Sequence, residues 1–180
     1  GCGKSSLLRA IAVLWTNGRG QIIRPDIQDM LFLPQRPYML LGTLREQLTY
    51  PYRYEHSDET LIDILEQVNL GDLPERFSGL DTIHDWPSVL SLGQQQRLAF
   101  ARVLLSQPRY VMLDEATSAL DINNERHLYE LLANMQVVYV SVGHRPSLLE
   151  YHQNVLELNS DSTWQVYSAS TYRTTELGVS

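Results

Sequence analysis

Two adjacent carboxylates at the end of a short apolar run constrain the fold of this chain more than any other feature. The run Tyr110–Leu113 leads directly into Asp114 and Glu115, and Pro108 ends any helix that precedes it. Such a run is typical of a buried strand, in which an unpaired charge is very unfavourable. We therefore expect both carboxylates at the carboxyl end of the strand, where open α/β sheets bind ligands. A strand that ends in a solvated acidic turn is the alternative.

The first five residues, Gly1-Cys-Gly-Lys-Ser5, match the second half of the phosphate-binding pattern G-x-x-x-x-G-K-[ST]. The glycines let the backbone approach phosphate oxygens, the lysine reaches the β- and γ-phosphates, and the hydroxyl ligates Mg²⁺. The apolar residues that follow have the spacing of one helical face: Leu7, Leu8, Ile11, Leu14 and Trp15. Asn17-Gly18 is a typical helix stop. Because the chain begins inside the pattern, we expect its first glycine and the preceding strand to lie outside this sequence.

The composition excludes several classes of protein. With 180 residues, the chain has the length of one domain, or of one domain with a subdomain. Its 43% hydrophobic and 19% charged residues are typical of a globular protein. The net charge of −7 is unfavourable for a nucleic-acid partner. A single cysteine excludes an internal disulfide, and no apolar run reaches the ~18 residues of a membrane span.

Periodicity and capping signals predict the remaining elements. Strands are expected at 21–24, 30–33, 110–113 and 137–142, with an antiparallel hairpin at 154–158 and 163–167. Helices are expected from Leu44 to Pro51, Asp58 to Val68, Ser91 to Ser106 and Asn124 to Met135. Thr43 with Glu46, and Ser91 with Gln94, have the spacing of capping boxes.

The distribution of these elements predicts an α/β fold with a helical insertion. Residues 37–108 contain no convincing strand, so they are assigned to a helical subdomain that carries the Ser91 helix. Residues 1–36 and 109–167 are assigned to the core, and residues 168–180 to a polar tail. Ligands of such a core bind at the carboxyl ends of its strands.

The motifs occur in the order of an ATP-binding cassette, and the chain resembles the nucleotide-binding domain of an ABC transporter. The order is half of a Walker A motif, Gln35 after a strand, Leu90–Arg97, Leu113–Asp121, and a strand that ends at His144. The resemblance runs from Gly1 to about Tyr167 and implies a P-loop NTPase (RecA-like) core. Segments 34–39, 42–45 and 143–148 are most similar to peroxisomal fatty-acyl half-transporters and to bacterial SbmA/BacA-like permease–ATPases.

The resemblance implies a role for each matching residue. The phosphates of ATP are bound by Gly1, Gly3, Lys4, Ser5 and Ser6, and Mg²⁺ is held by Ser5, Gln35 and Asp114. Glu115 is the general base, Gln35 lies near the attacking water, and His144 contacts the γ-phosphate. Ser91, Gly93 and Gln94 act on ATP bound to a second cassette, with residues 118–121 crossing between the two.

The implied function is ATP hydrolysis that drives transport through a membrane permease domain. The implied partners are a second nucleotide-binding domain and the permease domain. The loop 36–41 then faces the permease, and the cassette acts at the cytoplasmic face of a membrane. A soluble cassette ATPase acting on DNA or ribosomes is one alternative, although it predicts a coiled-coil insertion or a basic surface. A regulatory cassette that only binds nucleotide is another, although Glu115 and His144 argue against it.

Leu92 is the clearest departure from the family pattern. It replaces the second residue of the usual Ser-Gly-Gly-Gln signature. A leucine disfavours positive φ, so we expect position 92 to be extended or helical, with its side chain turned away from ATP.

Overall fold

The computed structural model describes residues 3–16, 18–52 and 54–176. Within these residues the α-helices are α1 Lys4–Ile11, α2 Leu44–Thr49, α3 Asp58–Gln67, α4 Leu73–Arg76, α5 Trp86–Val89, α6 Leu92–Ser106, α7 Ile122–Asn134 and α8 Ala169–Glu176. The strands are β1 Met30–Leu33, β2 Gly42–Thr43, β3 Ile83–His84, β4 Tyr110–Asp114, β5 Val138–Val142, β6 Asn154–Leu158 and β7 Trp164–Ser168. Short 3-10 helices cover Ile27–Asp29 and Pro146–Tyr151.

A three-stranded parallel sheet, ordered β1-β4-β5, positions the site. Met30 lies opposite Tyr110 at one end, and Asp114 lies opposite Val142 at the other. Because all three strands run in the same direction, their carboxyl ends meet at one edge of the sheet. The residues that follow each strand are therefore neighbours, and the α/β fold class expected from the sequence is confirmed.

The two faces of this sheet are buried against different elements, as a side-chain period of two requires. Leu31, Leu33, Val111 and Leu113 belong to the main core, which includes buried residues of α2, α3, α6 and α7. On the opposite face, a smaller cluster contains Met30, Met112, Val142 and Leu8 of α1. The sheet therefore fixes α1 on one side and α6 on the other.

Capping residues start the helices where the sequence predicts them. Thr43 with Glu46, and Ser91 with Gln94, form complete capping boxes at α2 and α6. Ser57 accepts a hydrogen bond from the N–H of Thr60 at the start of α3. Each cap satisfies backbone N–H groups that have no partner inside the helix.

Trp86, at the start of α5, connects the antiparallel pair of β2 and β3 to the main core. Its side chain is fully buried, and its Nε1 donates a hydrogen bond to Gly42 O at 2.7 Å. The rings of Phe77 and His84 lie edge-on to the indole, each with a centroid distance of 5.2 Å. The indole therefore contributes both apolar contacts and a buried hydrogen bond.

Two predicted elements near the N-terminus are wrong. Helix α1 ends at Ile11, short of the predicted Trp15, because the chain turns at Val13 with a φ of 62°. Leu14 is consequently 62% exposed. The predicted strand at 21–24 is absent from the described residues, and Ile23 is 91% exposed because no strand pairs with that segment.

Two further elements were not expected. Residues 37–108 contain β2 and β3, two strands of two residues each that pair antiparallel, in a segment predicted to lack strands. The predicted polar tail is helical in α8, where Ala169 is buried and Tyr172 donates to Glu157 at 3.2 Å. Asn17, the predicted helix stop, lies outside the described residues.

Within residues 3–16, 18–52 and 54–176, no helix combines the length and the apolar character that crossing a membrane demands.

Candidate active site

Gly3 and the first turn of α1 form the part of the phosphate-binding loop that the structure describes. Gly3 is the N-cap of α1 and has a φ of 92°, in the left-handed region that glycine adopts at little cost. Lys4, Ser5 and Ser6 follow in the first turn, where free backbone N–H groups and the helix dipole favour an anion. Gly1, the remaining residue predicted for this loop, lies outside the described residues.

Asp114, the last residue of β4, contacts α1. The residue is only 2% exposed, and its carboxylate is paired: Ser5 Oγ donates to Oδ1 at 2.6 Å, and Arg9 Nη2 donates to Oδ2 at 3.3 Å. These partners offset the unfavourable burial of the charge. Hydroxyl and carboxylate oxygens are ligands that Mg²⁺ binds in sites that also hold nucleotide phosphates. The oxygens of Ser5 and Asp114 therefore fit the predicted Mg²⁺.

Glu115 occupies a strained turn between Gln35, which was predicted to lie near the attacking water, and His144, which was predicted to contact the γ-phosphate. Its φ of 52° is unusual for a residue with a side chain, and its N–H donates to Val142 O at 3.0 Å, which holds the turn against β5. Gln35 Nε2 donates to one carboxylate oxygen at 3.1 Å, and His144 Nε2 donates to the other at 3.1 Å. Gln35, Glu115 and His144 form what we term the Glu115 cluster.

The Glu115 cluster has the arrangement that a general base needs. The side chain of Glu115 is 26% exposed and that of His144 is 67% exposed, so the carboxylate is open to solvent. Each carboxylate oxygen has two lone pairs, so one remains on each after these two hydrogen bonds. A carboxylate held in this way is able to orient a water molecule and accept its proton.

Ser91, Gly93 and Gln94 lie together at the start of α6. The N–H of Gln94 donates to Ser91 Oγ at 3.2 Å, and the N–H of Ser91 donates to Gln94 Oε1 at 3.0 Å. A Cβ at position 93 would lie 3.1 Å from Ala119 O, so any larger residue there would press against the backbone of that loop. In the part of the chain that the structure describes, hydrogen bonds join Ser91 and Gln94 to each other and not to the Glu115 cluster.

The loop 117–120, between β4 and α7, is held by a buried carboxylate. Glu125 is 3% exposed, accepts a hydrogen bond from Thr117 Oγ1 at 2.7 Å, and lies 3.3 Å from Arg145 Nη1. Arg145 Nη2 in turn donates to Leu120 O at 2.8 Å. Arg145, which follows His144 in the sequence, therefore holds the loop that follows Glu115, the candidate general base.

A buried arginine of α6 supports the segment after Gln35. Arg102 donates from Nε to Gln47 O at 2.7 Å and from Nη1 to Tyr38 O at 2.8 Å. Burial lowers the pKa of the Arg102 guanidinium to about 10, which leaves it charged at neutral pH. The two carbonyl groups therefore accept charge-assisted hydrogen bonds.

Sequence reasoning did not find Arg9, Glu125 or Gln96, although each contacts a site residue or a loop of the site. Gln96 is fully buried and bonds to the backbone of Gln35. All three lie on helices, where a polar residue is usually solvated. The signal available for Arg9 is its position four residues after Ser5, on the same helix face.

Known proteins of one family match this chain. The model of the ABC transporter family matches residues 1–118. An uncharacterised ABC transporter ATP-binding protein from Synechocystis is 58% identical and covers 92% of this chain and 25% of its own length. ABC transporter D family member 2, chloroplastic, from Arabidopsis thaliana is 43% identical, with coverage of 89% and 29%. Human lysosomal cobalamin transporter ABCD4 is 44% identical, with coverage of 92% and 29%.

A solved structure agrees with the fold, and the relatives agree with the narrower resemblance. A bacterial Atm1-family ABC exporter with ATP bound has a TM-score of 0.81 and 22% identity, covering 99% of this chain and 33% of that chain. One of the relatives is named as a D family member, and another is named ABCD4. The chain spans between 25% and 29% of the length of these curated relatives. On the match to residues 1–118 and on these identities, the chain belongs to the ABC transporter family.

Proposed function

We propose that this chain is the ATP-binding and ATP-hydrolysing cassette of a membrane transporter. The observation that carries the proposal is the Glu115 cluster, in which a carboxylate next to the Ser5–Asp114 pair is held by Gln35 and His144. An ATPase needs a metal-binding pair, a base for water and a phosphate loop within one site. The parallel sheet supports this arrangement because it brings three strand ends to one edge.

Different residues of this chain have different roles in hydrolysis. Lys4 and the N–H groups of the first turn of α1 hold the phosphates of ATP, and Ser5, Asp114 and Gln35 hold Mg²⁺. When bound, Mg²⁺ neutralises charge on the phosphate oxygens. Glu115 orients the attacking water and accepts its proton, and His144 contacts the γ-phosphate.

The proposed partners are a second cassette and a permease domain. Residues 37–108 form the helical subdomain in this proposal, with Ser91, Gly93 and Gln94 at the start of α6 turned to ATP of the second cassette. Support comes from the N-terminus of α6, where the capping box uses the N–H groups of Ser91 and Gln94 but not those of Leu92 and Gly93, and a helix N-terminus favours a bound phosphate. The loop 36–41 faces the permease at the cytoplasmic side of a membrane, and the net charge of −7 argues against nucleic acid as the partner.

ATP hydrolysis by the whole protein tests this function. We expect phosphate release that depends on both ATP and Mg²⁺ and that stops when EDTA removes the metal. ATP binding without any phosphate release, in lipid vesicles and with Mg²⁺ present, would instead support a regulatory cassette.

The leucine of the signature gives a second test of this proposal. Leu92 is the first residue of α6 and has no positive φ, as the sequence predicts, so a glycine there gains nothing from its conformational freedom. We expect Leu92→Gly to change the ATPase rate by less than about tenfold, or ~1.4 kcal/mol. Ser91→Ala should lower it more, because a charge-assisted bond contributes about 1.5–3 kcal/mol. Gly93→Asp should also lower it more, because it places a carboxylate against phosphate.

The ATPase rates of these three variants are measured in the whole protein as a function of ATP concentration. A hundredfold rise for Leu92→Gly, with no effect of Ser91→Ala, would show that the signature does not act on ATP of a second cassette.

A further inference from the structure

Gln96, on the second turn of α6, is a fully buried amide that contacts two separate loops. Its Nε2 donates to Gln35 O at 2.8 Å and to Ser118 Oγ at 3.2 Å. Its Oε1 accepts a hydrogen bond from the N–H of Ala119 at 3.0 Å. One side chain therefore joins α6 to the segment after β1 and to the loop 117–120.

The orientation of this amide is determined by its partners. A backbone carbonyl only accepts hydrogen bonds and a backbone N–H only donates them. With Gln35 O on one side and Ala119 N on the other, only one assignment of the nitrogen and the oxygen satisfies both. Apolar side chains, and the shorter amide of asparagine, do not make both bonds from this position.

The contacts of Gln96 reach the general-base candidate through one residue. Gln35 accepts from Gln96 through its backbone and donates through its side chain to Glu115 Oε2 at 3.1 Å. The same Gln35 amide lies 3.5 Å from Ser118 Oγ, which Gln96 also contacts. A shift of the Gln35 backbone would therefore change the direction of the amide that holds the carboxylate.

We infer that Gln96 is a positioning residue for hydrolysis. It fixes the positions of Gln35 and the loop 117–120 relative to the start of α6. The inference rests on the proposed function and adds a residue to which the family resemblance gave no role. Packing supports it, since Gly93 approaches Ala119 O so closely that a Cβ would lie 3.1 Å away. A movement of α6 is thus transmitted to the Glu115 cluster through a buried, fully paired side chain.

The test compares two neighbouring glutamines in the whole protein. Gln96→Met keeps the approximate volume and removes all three hydrogen bonds. Gln95→Met is the matched control, because Gln95 Nε2 also bonds to backbone carbonyls, those of Leu90 and Pro87, but outside the two loops. The measured quantities are kcat and KM for ATP, the Kd for ATP, the Tm, and hydrogen exchange of the Ala119 amide.

We expect Gln96→Met to lower kcat at least tenfold while the Kd for ATP changes less than threefold. Gln95→Met should lower kcat less than twofold, and only Gln96→Met should speed exchange at Ala119. If Gln96→Met does not fold, Gln96→Glu serves instead, because it keeps the acceptor for Ala119 and removes the donor to Gln35.

Three results would overturn the inference: an unchanged kcat for Gln96→Met, or for Gln96→Glu in its place; an equal loss of kcat in Gln95→Met; or unchanged exchange at Ala119 in Gln96→Met. A wild-type protein that hydrolyses no ATP would contradict the proposed function instead. In that case the exchange rate of Ala119 still decides whether Gln96 holds the loop.

Discussion

Glu115→Gln is expected to lower ATP turnover by the whole protein by ~10² or more, the scale of losing a general base, while ATP still binds. The substitution keeps the shape of the side chain but removes the charge that accepts the proton from water. His144 Nε2 and Gln35 Nε2 both donate to the carboxylate, and an amide accepts from only one of them. Steady-state phosphate release and the Kd for ATP measure the two quantities separately.

A second glutamate provides the control for this substitution. Glu130 lies on α7 with an exposed side chain, so Glu130→Gln makes the same chemical change away from the site. We expect its turnover to match that of the wild type. Unchanged turnover in Glu115→Gln would remove this residue from the mechanism, and a lost affinity for ATP would assign it to binding.

Trp86→Ala is expected to destabilise the cassette by about 3–5 kcal/mol, the range for removing a large aromatic side chain from a core. The indole is fully buried against Phe77 and His84, and its loss also leaves the carbonyl of Gly42 without its donor. For a chain of this size we expect Tm to fall by roughly 10 °C, measured by calorimetry on the whole protein.

One further variant of Trp86 and one control variant at Trp164 test the sources of this loss of stability. Trp86→Phe keeps an aromatic ring and removes the N–H, so its cost should be about 1–3 kcal/mol, the penalty for one unpaired buried group. Trp164 on β7 is 68% exposed, and Trp164→Ala should change stability by no more than about 0.5 kcal/mol. Equal effects of Trp86→Ala and Trp164→Ala would show that burial does not determine the loss.

Local signals predicted the elements that depend on neighbouring residues. The caps at Thr43, Ser57 and Ser91 and the strand at Met30–Leu33 were predicted because hydrogen bonding at helix ends and short apolar runs are visible in the sequence. Helix α1 was predicted too long because apolar spacing continues to Trp15, whereas the left-handed turn at Val13 is not visible in the spacing.

The site was predictable in part for the same reason. Asp114 and Glu115 follow a short apolar run, so their position at the edge of the sheet could be inferred from Tyr110–Leu113 alone. Gln96 and Glu125 could not be found, because a polar residue on a helix gives no sign of burial until its partners from distant segments are known.

The order of the parallel sheet also has a consequence for the way this chain folds. The partners β4 and β5 are separated by residues 115–137, whereas the equally adjacent β1 and β4 are separated by residues 34–109. The second segment is about three times as long, so its closure costs about 1 kcal/mol more entropy if both are flexible. We therefore expect β4, α7 and β5 to assemble first, with β1 docking after the intervening helices are compact. Pulsed hydrogen exchange during refolding should protect the amides of β5 before those of β1, and the reverse order would contradict this sequence of events.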